Sequence, residues 1–248
     1  MTNRTVELEI EDMTYDGKAV GRIDGKVIFV NGGLPGEKIV AEITQDKARF
    51  SRGRMVDILR KAECRREAKC VHFGKCGGCS WQDINYEHQL TLKKKLVADN
   101  LQRLGGLEGV EIHDCLPSPD EYGYRNKMEF SFQNDPDGSF TVGLHHRGRW
   151  DEVFDLKECH LCSPVFSEIN DWLRKFVKEQ NLEPYDVGEH TGYMRFLVLR
   201  EAKVDQTVMV NIVTNYGDFP CRDELVDGMT AAFPSVVTIL HNQNGQKS

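Results

Sequence analysis

Three cysteines within ten residues are the side chains of this sequence with the clearest chemical potential. Cys70, Cys76 and Cys79 are separated by five and by two residues, and a Gly-Gly pair lies inside the shorter step. Far downstream, Cys159 and Cys162 offer a fourth thiolate. Four thiolates from distant segments are what a tetrahedral zinc ion or an iron–sulfur cluster requires. The pattern therefore predicts a metal centre.

The spacing of the cysteines leaves the identity of the metal open. Zinc sites usually pair two Cys-x2-Cys or Cys-x4-Cys units, and Cys159-x2-Cys162 could serve as the second pair. The ferredoxin pattern Cys-x4-Cys-x2-Cys misses by one residue, and the Cys-x3-Cys-x2-Cys pattern of radical enzymes misses by two. Iron–sulfur, zinc and unmetallated thiols all stay open on spacing alone.

The composition is typical of a chain with one to three globular domains, with 248 residues, 40% of them hydrophobic and 29% charged. No apolar run is long enough to span a membrane, and residues 1–12 lack the apolar stretch of a signal peptide. We therefore expect no membrane contact. Eight cysteines in such a chain predict reduced thiols in the cytoplasm, and clustered thiols again indicate metal.

A local excess of positive charge stands out against the net charge of −7. Residues 45–69 contain nine Lys or Arg and four Asp or Glu. A solvated surface is the ordinary interpretation of such a stretch. Because four of the cations lie on and around a predicted strand connection, we predict that they contact nucleic acid: Lys47, Arg49, Arg52 and Arg54.

The first 60 residues predict a small closed β-barrel of the OB-like kind. About five short strands separated by Gly and Pro fall within residues 5–59. Residues 61–106 then predict a metal-holding loop followed by an amphipathic helix over residues 83–104. Its predicted buried face comprises Leu90, Val97, Leu101 and Leu104.

Residues 107–248 predict an α+β domain. Residues 127–133 and 140–146 flank a turn at 135–138 and predict a hairpin. Pro164 opens a helix whose buried stripe is Val165, Ile169, Trp172, Leu173 and Phe176. A second hairpin (195–200 with 207–214), a helix (223–233) and a strand (236–240) follow, and residues 241–248 predict no further element.

Several ordered motifs resemble the RNA uracil-5-methyltransferase family. The cysteine run followed by Gln82 and a helix with a Y-x-x-Q-L pattern resembles the family's C-x5-C-G-G-C-x-x-Q motif. Gly33-Leu34-Pro35-Gly36-Glu37 resembles part of its N-terminal TRAM domain, an OB-like RNA-binding barrel. Residues 124–127 (YRNK) and 195–200 (RFLVLR) resemble two further family elements, and together the motifs span nearly the whole chain.

The resemblance implies a [4Fe-4S] cluster, and it implies which cysteines hold it. Cys159, five residues before Pro164, matches the family's fourth ligand better than Cys162 does. The implied ligands are Cys70, Cys76, Cys79 and Cys159, in a structural role. His72 and His160 are then polar neighbours, and Cys64, Cys115 and Cys221 are core or surface thiols. The arginine-bearing motifs imply RNA contacts by Arg125, Lys127, Arg195 and Arg200.

The family chemistry is methylation of uracil C5 with S-adenosylmethionine, using a cysteine nucleophile and a general base. In the family these groups and the cofactor site lie in a C-terminal Rossmann-like domain. Gly105 and Gly106 follow a helix, which is the wrong context for such a domain. We therefore expect the N-terminal, RNA-binding part of such an enzyme, with that domain absent. The expected protein is monomeric, inactive alone, without catalytic or cofactor-binding residues of its own, and directed at 23S ribosomal RNA rather than transfer RNA.

Two alternatives compete with this interpretation. A zinc-stapled RNA-binding module without enzymatic activity is one, for which Cys159-x2-Cys162 could supply the second ligand pair. A radical methylthiotransferase with a TRAM domain would need a Cys-x3-Cys-x2-Cys motif, which the sequence lacks.

Overall fold

The computed structural model describes residues 4–135 and 137–246. The chain divides into two compact units. Unit 1 comprises Met1–Ala68 and Ser80–Ser118, and unit 2 comprises Lys69–Cys79 and Pro119–Ser248. The three-part division expected from the sequence stays a prediction. All four predicted ligand cysteines fall within unit 2, because its first segment is the cysteine loop.

Unit 1 contains the five strands predicted for the first 60 residues. They form a closed barrel in the order β1-β2-β3-β5-β4. Antiparallel pairs make most of the wall, and a parallel pair of β3 with β5 completes it. The strands are β1 (Arg4–Met13), β2 (Ala19–Ile23), β3 (Lys26–Asn31), β4 (Lys38–Asp46) and β5 (Phe50–Arg60).

The barrel interior is filled by alternating apolar side chains, as period-two strands require. Its buried members are Leu8, Ile10, Ala19, Ile28, Val30, Ile39 and Ala41. Gly21 sits where two strands approach closely, because a Cβ there would lie 2.4 Å from the carbonyl oxygen of Glu9. A side chain at this position would force the wall apart.

Helix α1 (Tyr86–Arg103) begins after Asn85, whose side chain accepts a hydrogen bond from the His88 amide at 3.0 Å. The predicted buried face is wrong. Leu92 is the residue of this helix that is buried, whereas Val97 and Leu104 are exposed. The reason is the contact surface, since Leu92 packs with Met13, Leu34, Cys64 and Ile84. The helix therefore turns a different stripe inward.

Unit 2 is built on a six-stranded sheet in the order β11-β10-β9-β6-β7-β8. Both predicted hairpins are present, as the antiparallel pairs β6–β7 and β9–β10, and β11 lies parallel to β10. The strands are β6 (Lys127–Asn134), β7 (Phe140–His145), β8 (Val153–Asp155), β9 (Met194–Ala202), β10 (Thr207–Thr214) and β11 (Val236–Gln243). The two helices are α2 (Pro164–Glu179) and α3 (Arg222–Ala232).

The end of the chain departs from the sequence expectation. Strand β11 continues to Gln243, so the prediction that residues 241–248 bring no element is wrong for its first three residues. Residues 247 and 248, and Pro136 in the predicted turn, lie outside the described residues. A parallel edge strand is paired through β10, not by a local turn, which is why turn-like composition did not reveal its length.

Both helices of unit 2 pack on one face of the sheet. Phe166, Ile169 and Leu173 of α2, with Leu225 and Met229 of α3, join the core formed by inward strand residues. The predicted stripe of α2 is confirmed for Ile169, Leu173 and Phe176, which are buried, and for Val165 and Trp172, which pack against the core. The opposite side of the sheet carries Lys127, Glu129, Ser131, Phe196, Val198 and Arg200. Its charged residues are exposed, whereas Ser131 and Val198 are buried, and this side is called the open face below.

None of the helices among the described residues has the length and apolar character needed to cross a membrane.

Candidate functional site

The cysteine loop is a chain of tight turns anchored to the end of β7. The amides of Lys75 and Cys76 both donate to the carbonyl oxygen of His72, at 3.1 and 2.9 Å. The amide of Arg147 donates to the carbonyl oxygen of Lys75 at 2.7 Å, and Gly77 donates to His145 at 3.3 Å. The Arg147 guanidinium also donates to the carbonyl oxygen of Cys79. These bonds hold the loop against the sheet of its own unit.

The structure brings the four predicted ligand cysteines into one electrostatic neighbourhood. The pKa of Cys76 is raised, first by burial and then by the charges that would develop on Cys79, Cys159 and Cys70. The pKa of Cys70 is raised for the same reasons, with Cys159 and Cys79 as the contributing thiolates. Cys70 and Cys76 thus feel the charges of the other predicted ligands, and a metal would stabilise such neighbouring thiolates together.

Cys159 differs from the other three in its protonation. Its pKa is lowered to about 6, first by its interaction with the Cys162 thiol, which also donates to the Cys159 carbonyl oxygen at 3.6 Å, although burial opposes the shift. The charge of Arg125 and the amides of Leu161 and Cys162 act in the same direction as the interaction between the two thiols. The pKa of Cys162 is raised by the same interaction and by burial. Of the two downstream cysteines, Cys159 is therefore the one whose surroundings favour the thiolate.

The described residues contain no group of three or more His, Cys, Asp or Glu side chains arranged to hold a metal ion. A tetrahedral zinc ion needs its ligands converged on one point. In a four-iron cluster each thiolate binds a different iron, so the sulfurs stand further apart than the ligands of a single ion.

The two histidines beside the cysteines have protein partners. His72 Nε2 accepts a hydrogen bond from the Lys157 amide at 3.0 Å, and its ring packs on Phe154 at 5.1 Å between centroids. The pKa of His72 is lowered, chiefly by burial. His160 Nε2 lies 3.2 Å from a carboxylate oxygen of Glu158. Both side chains are satisfied polar neighbours of the cysteines.

The predicted RNA-contact residues of the barrel lie at the surface of β5 and the turn before it. Lys47, Arg49, Arg52 and Arg54 are all exposed. Arg52 stacks over the ring of Phe50, with its guanidinium carbon 5.5 Å from the centroid. Arg54 instead pairs with the buried carboxylate of Glu42. Among the described residues, Lys47, Arg49 and Arg52 form no ion pair and remain available to an anionic ligand.

The predicted cations of unit 2 separate into two environments. Lys127 and Arg200 are exposed and lie directly opposite each other across β6 and β9 on the open face. Opposed like charges are unfavourable unless an anion neutralises them, and Glu129 does so in part, 3.3 Å from Lys127. Arg125 is half-buried and acts on Cys159. An anionic ligand such as a phosphate fits the Lys127–Arg200 pair.

Arg195 has a structural environment. It is only 2% exposed, its guanidinium donates to the carbonyl oxygens of Asn244 and Gln246 at 2.6 and 2.8 Å, and it stacks 4.2 Å from the ring centroid of Tyr185. The paired-arginine pattern of β9 did not distinguish this residue from Arg200. Alternation along the strand does, because the two positions have opposite parity.

Sequence reasoning did not find a cavity of about 280 Å³ at the end of the open face. Ser131, His145, Trp150 and Phe196 are among its lining residues. They come from three separate segments that only the sheet brings together. The one available signal was an isolated tryptophan in a polar turn.

The comparisons with known proteins agree along the whole chain. A TRAM domain model matches residues 1–56. An uncharacterised RNA methyltransferase of Chlorobaculum tepidum is 35% identical over 98% of this chain, and one of Caldanaerobacter subterraneus is 34% identical over 96%. The structure of the Pyrococcus abyssi tRNA (uracil-54, C5)-methyltransferase with S-adenosyl-L-homocysteine is 26% identical, with a TM-score of 0.68 over 97% of this chain.

The chain spans about half the length of these relatives: 54% of the first, 53% of the second and 52% of the Pyrococcus structure. The structural match also corrects the predicted fold class, which described the chain by an absent methyltransferase domain. That description is wrong, because 97% of the chain superposes on a methyltransferase fold. Both the five-stranded barrel and the six-stranded sheet lie within the part of this chain that matches the Pyrococcus structure. The predicted inactivity of the chain on its own followed from that description, and no observation supports it.

Proposed function

We propose that this chain, which belongs to the RNA uracil-5-methyltransferase family, binds RNA and serves S-adenosylmethionine-dependent methylation of a uridine at C5. The observation that carries the proposal is the end-to-end similarity to RNA methyltransferases. The Pyrococcus relative, with S-adenosyl-L-homocysteine bound, supports the cofactor. The cytoplasm as location and a monomeric state stay predictions.

RNA binding is assigned to two cationic surfaces, one on each unit. On the barrel it comprises Lys47, Arg49 and Arg52, with Phe50 as a stacking surface beside them. On unit 2 it comprises the Lys127–Arg200 pair, with Arg125 nearby in the chain. The RNA contact predicted for Arg195 is not carried forward, because that guanidinium is buried on backbone carbonyls. Arg54 keeps a smaller role, since Glu42 already neutralises it.

A [4Fe-4S] cluster held by Cys70, Cys76, Cys79 and Cys159 is the proposed metal centre. Its support is the resemblance of the cysteine motif, the effect of neighbouring thiolates on the pKa of Cys70 and Cys76, and the lowered pKa of Cys159. The cluster would supply structural cross-linking, because it would tie the cysteine loop to the segment before α2. Methyl transfer from S-adenosylmethionine is a two-electron displacement that needs no redox partner, so no electron transfer is assigned to it.

The prediction of ribosomal rather than transfer RNA as the substrate rested on the presence of the barrel. The Pyrococcus structure matches 97% of this chain, the barrel included, and that protein methylates uracil 54 of transfer RNA. The barrel therefore does not distinguish the two substrates. The proposal is a uridine in structured RNA, and the first experiment below decides which RNA carries it.

Deleting the gene in its host should remove one 5-methyluridine from total RNA, measured by mass spectrometry of nuclease digests of separated 23S ribosomal RNA and transfer RNA. The gene restored on a plasmid should bring the modification back. The fraction that loses the methyl group identifies the substrate. Unchanged 5-methyluridine in both fractions would overturn the proposed function.

The double substitution Lys127→Ala and Arg200→Ala should weaken binding to single-stranded RNA and flatten its salt dependence. Each lost phosphate contact lowers the slope of log affinity against log salt by about 0.7 on a single strand, so the pair predicts about 1.4. Fluorescence anisotropy at several salt concentrations measures this. Lys178→Ala, an exposed cation on α2, is the matched control. An unchanged slope in the double variant would remove this pair from the RNA interface.

A further inference from the structure

We infer that the cavity at the end of the open face is a pocket for one unstacked nucleobase of the bound RNA, with Trp150 as its stacking surface. The inference rests on the proposed RNA binding and adds a site to it. The indole of Trp150 is 76% exposed at the cavity, and the Phe196 ring lines the same space. A lone exposed apolar side chain needs no explanation, but one that borders a mainly apolar cavity with a few polar groups does.

The indole is presented on a backbone that is tied down. The Gln133 amide nitrogen donates to the carbonyl oxygen of Asp151 at 2.8 Å, and its oxygen accepts from the Val153 amide at 2.5 Å. The amide of Arg149 donates to the carbonyl oxygen of His146 at 3.0 Å. Trp150 therefore needs little ordering to stack on a flat ring, which favours binding.

The cavity offers hydrogen-bonding groups for the edge of a base. The Ser131 hydroxyl and His145 Nε2 lie 3.0 Å apart and can exchange their mutual bond for bonds to a ligand. The two carboxylates at the rim are compensated: Asp151 pairs with Arg149 at 3.0 Å, and Asp186 accepts from the amides of Gly188 and Glu189. Arg195 also lines the cavity, with its guanidinium held by two backbone carbonyls and the Tyr185 ring. Aromatic rings and an arginine beside hydrogen-bonding groups are the chemistry with which proteins hold single-stranded bases.

Size and surroundings favour a single base that belongs to RNA. A volume of about 280 Å³ lies just below the range of drug-sized pockets, about 300–1,000 Å³, and suits one ring system with its sugar. Lys127 and Arg200 lie on the same face, four residues along the strands from Ser131 and Phe196, which is about 13 Å. That pair can hold a phosphate of the same strand. The adenine ring of the cofactor has the same flat chemistry, so the experiment must separate the two sources.

The test uses a single-stranded uridine decamer with one central 2-aminopurine, and the same decamer with an abasic site in its place. Trp150→Ala should weaken binding of the aminopurine decamer by about 5- to 150-fold and leave the abasic decamer unchanged. Trp150→Phe should keep binding of the aminopurine decamer within about threefold of the unmodified chain. Tyr216→Ala, which removes a 70% exposed aromatic of the same unit, is the control and should bind both probes normally. Aminopurine quenching reports the stack directly.

Each other outcome overturns the inference in a distinguishable way. Equal binding by Trp150→Ala and the unmodified chain would exclude the pocket, and an equal loss on both decamers would make Trp150 structural. Displacement of the aminopurine by S-adenosyl-L-homocysteine, together with weaker binding of that compound by Trp150→Ala, would assign the cavity to the cofactor. An unmodified chain that binds neither decamer would contradict the proposed function, and this inference with it.

Discussion

Replacing Cys159 with serine is expected to abolish the visible absorption and to lower the bound iron of the chain after anaerobic reconstitution with iron and sulfide. Among the predicted ligands, Cys159 is the one whose pKa is lowered, because Cys162 and nearby amides stabilise its thiolate. A serine hydroxyl is a hard ligand that does not ionise near neutral pH and binds iron poorly compared with a thiolate. Iron analysis and the absorption spectrum measure the loss.

The matched control is Cys115→Ser, a partly exposed thiol of unit 1 that should leave iron content and colour unchanged. Cys162→Ser is the sharper comparison. Cys162 is 3% exposed in the core of unit 2, and a serine there can still donate to Cys159, so the cluster should persist. If Cys162→Ser alone bleached the cluster, the assignment of the fourth ligand would be wrong. Stoichiometric zinc without colour in the unmodified chain would favour the zinc-stapled module.

The elements of this fold could be predicted from local patterns where a strand or helix is specified by its own residues. The strands of the barrel follow Gly and Pro punctuation, and the stripe of α2 follows the 3.6-residue period. Helix α1 shows the limit of that approach. Leu90, Val97 and Leu101 do share a face, but Leu92 and an ion pair of Lys95 with Asp12 decide which face is turned inward. The sequence of the helix does not specify the surface against which the helix packs.

The candidate site likewise contains residues that a local motif identifies and residues that only the folded sheet identifies. The four cysteines could be grouped from a motif, because a run of thiols is informative by itself. Arg195 and Arg200 could not be told apart until the strand's parity was known, and the Trp150 cavity depends on three segments that meet only in the sheet. Residue types predicted which chemistry the chain could offer. Strand register decided which of those residues face a ligand.

Arg65→Ala is expected to lower the free energy of unfolding of unit 1 by about 3–5 kcal/mol, because it leaves a buried charge without its counterion. The Glu37 side chain is fully buried, and its two oxygens accept from the amides of Leu34 and Ala62, at 2.9 and 3.3 Å, and from the Arg65 guanidinium. Arg65 also reaches Asp83 at 2.8 Å. Burial works against the Arg65 cation, yet the bonds to Glu37 and the charges of both carboxylates raise its pKa.

The arrangement explains why a glutamate belongs in the turn between β3 and β4. The Glu37 carboxylate accepts a hydrogen bond from Leu34 within its own turn. It also accepts bonds from Ala62 and Arg65 in the segment after β5, so one side chain connects the turn before β4 to the segment after β5. Removing both charges together, in Glu37→Gln with Arg65→Ala, should cost less than the sum of the single changes, since the fully buried carboxylate is then no longer left without its cation and only the partly exposed Asp83 loses a partner. The single variants alone would not reveal this coupling.

The free energy of unfolding of unit 1 can be measured by urea titration followed by Trp81 fluorescence. Trp150 and Trp172 are replaced by Phe for this purpose, because Trp81 is the tryptophan that lies in unit 1. Arg60→Ala is the matched control, since Arg60 and Glu9 form an ion pair in which both side chains are at least 60% exposed and should contribute about 0–1 kcal/mol. A loss for Arg65→Ala no larger than that control would contradict the buried-charge argument. Additive costs in the double variant would do the same, because they would show that Glu37 and Arg65 stabilise the barrel through separate contacts.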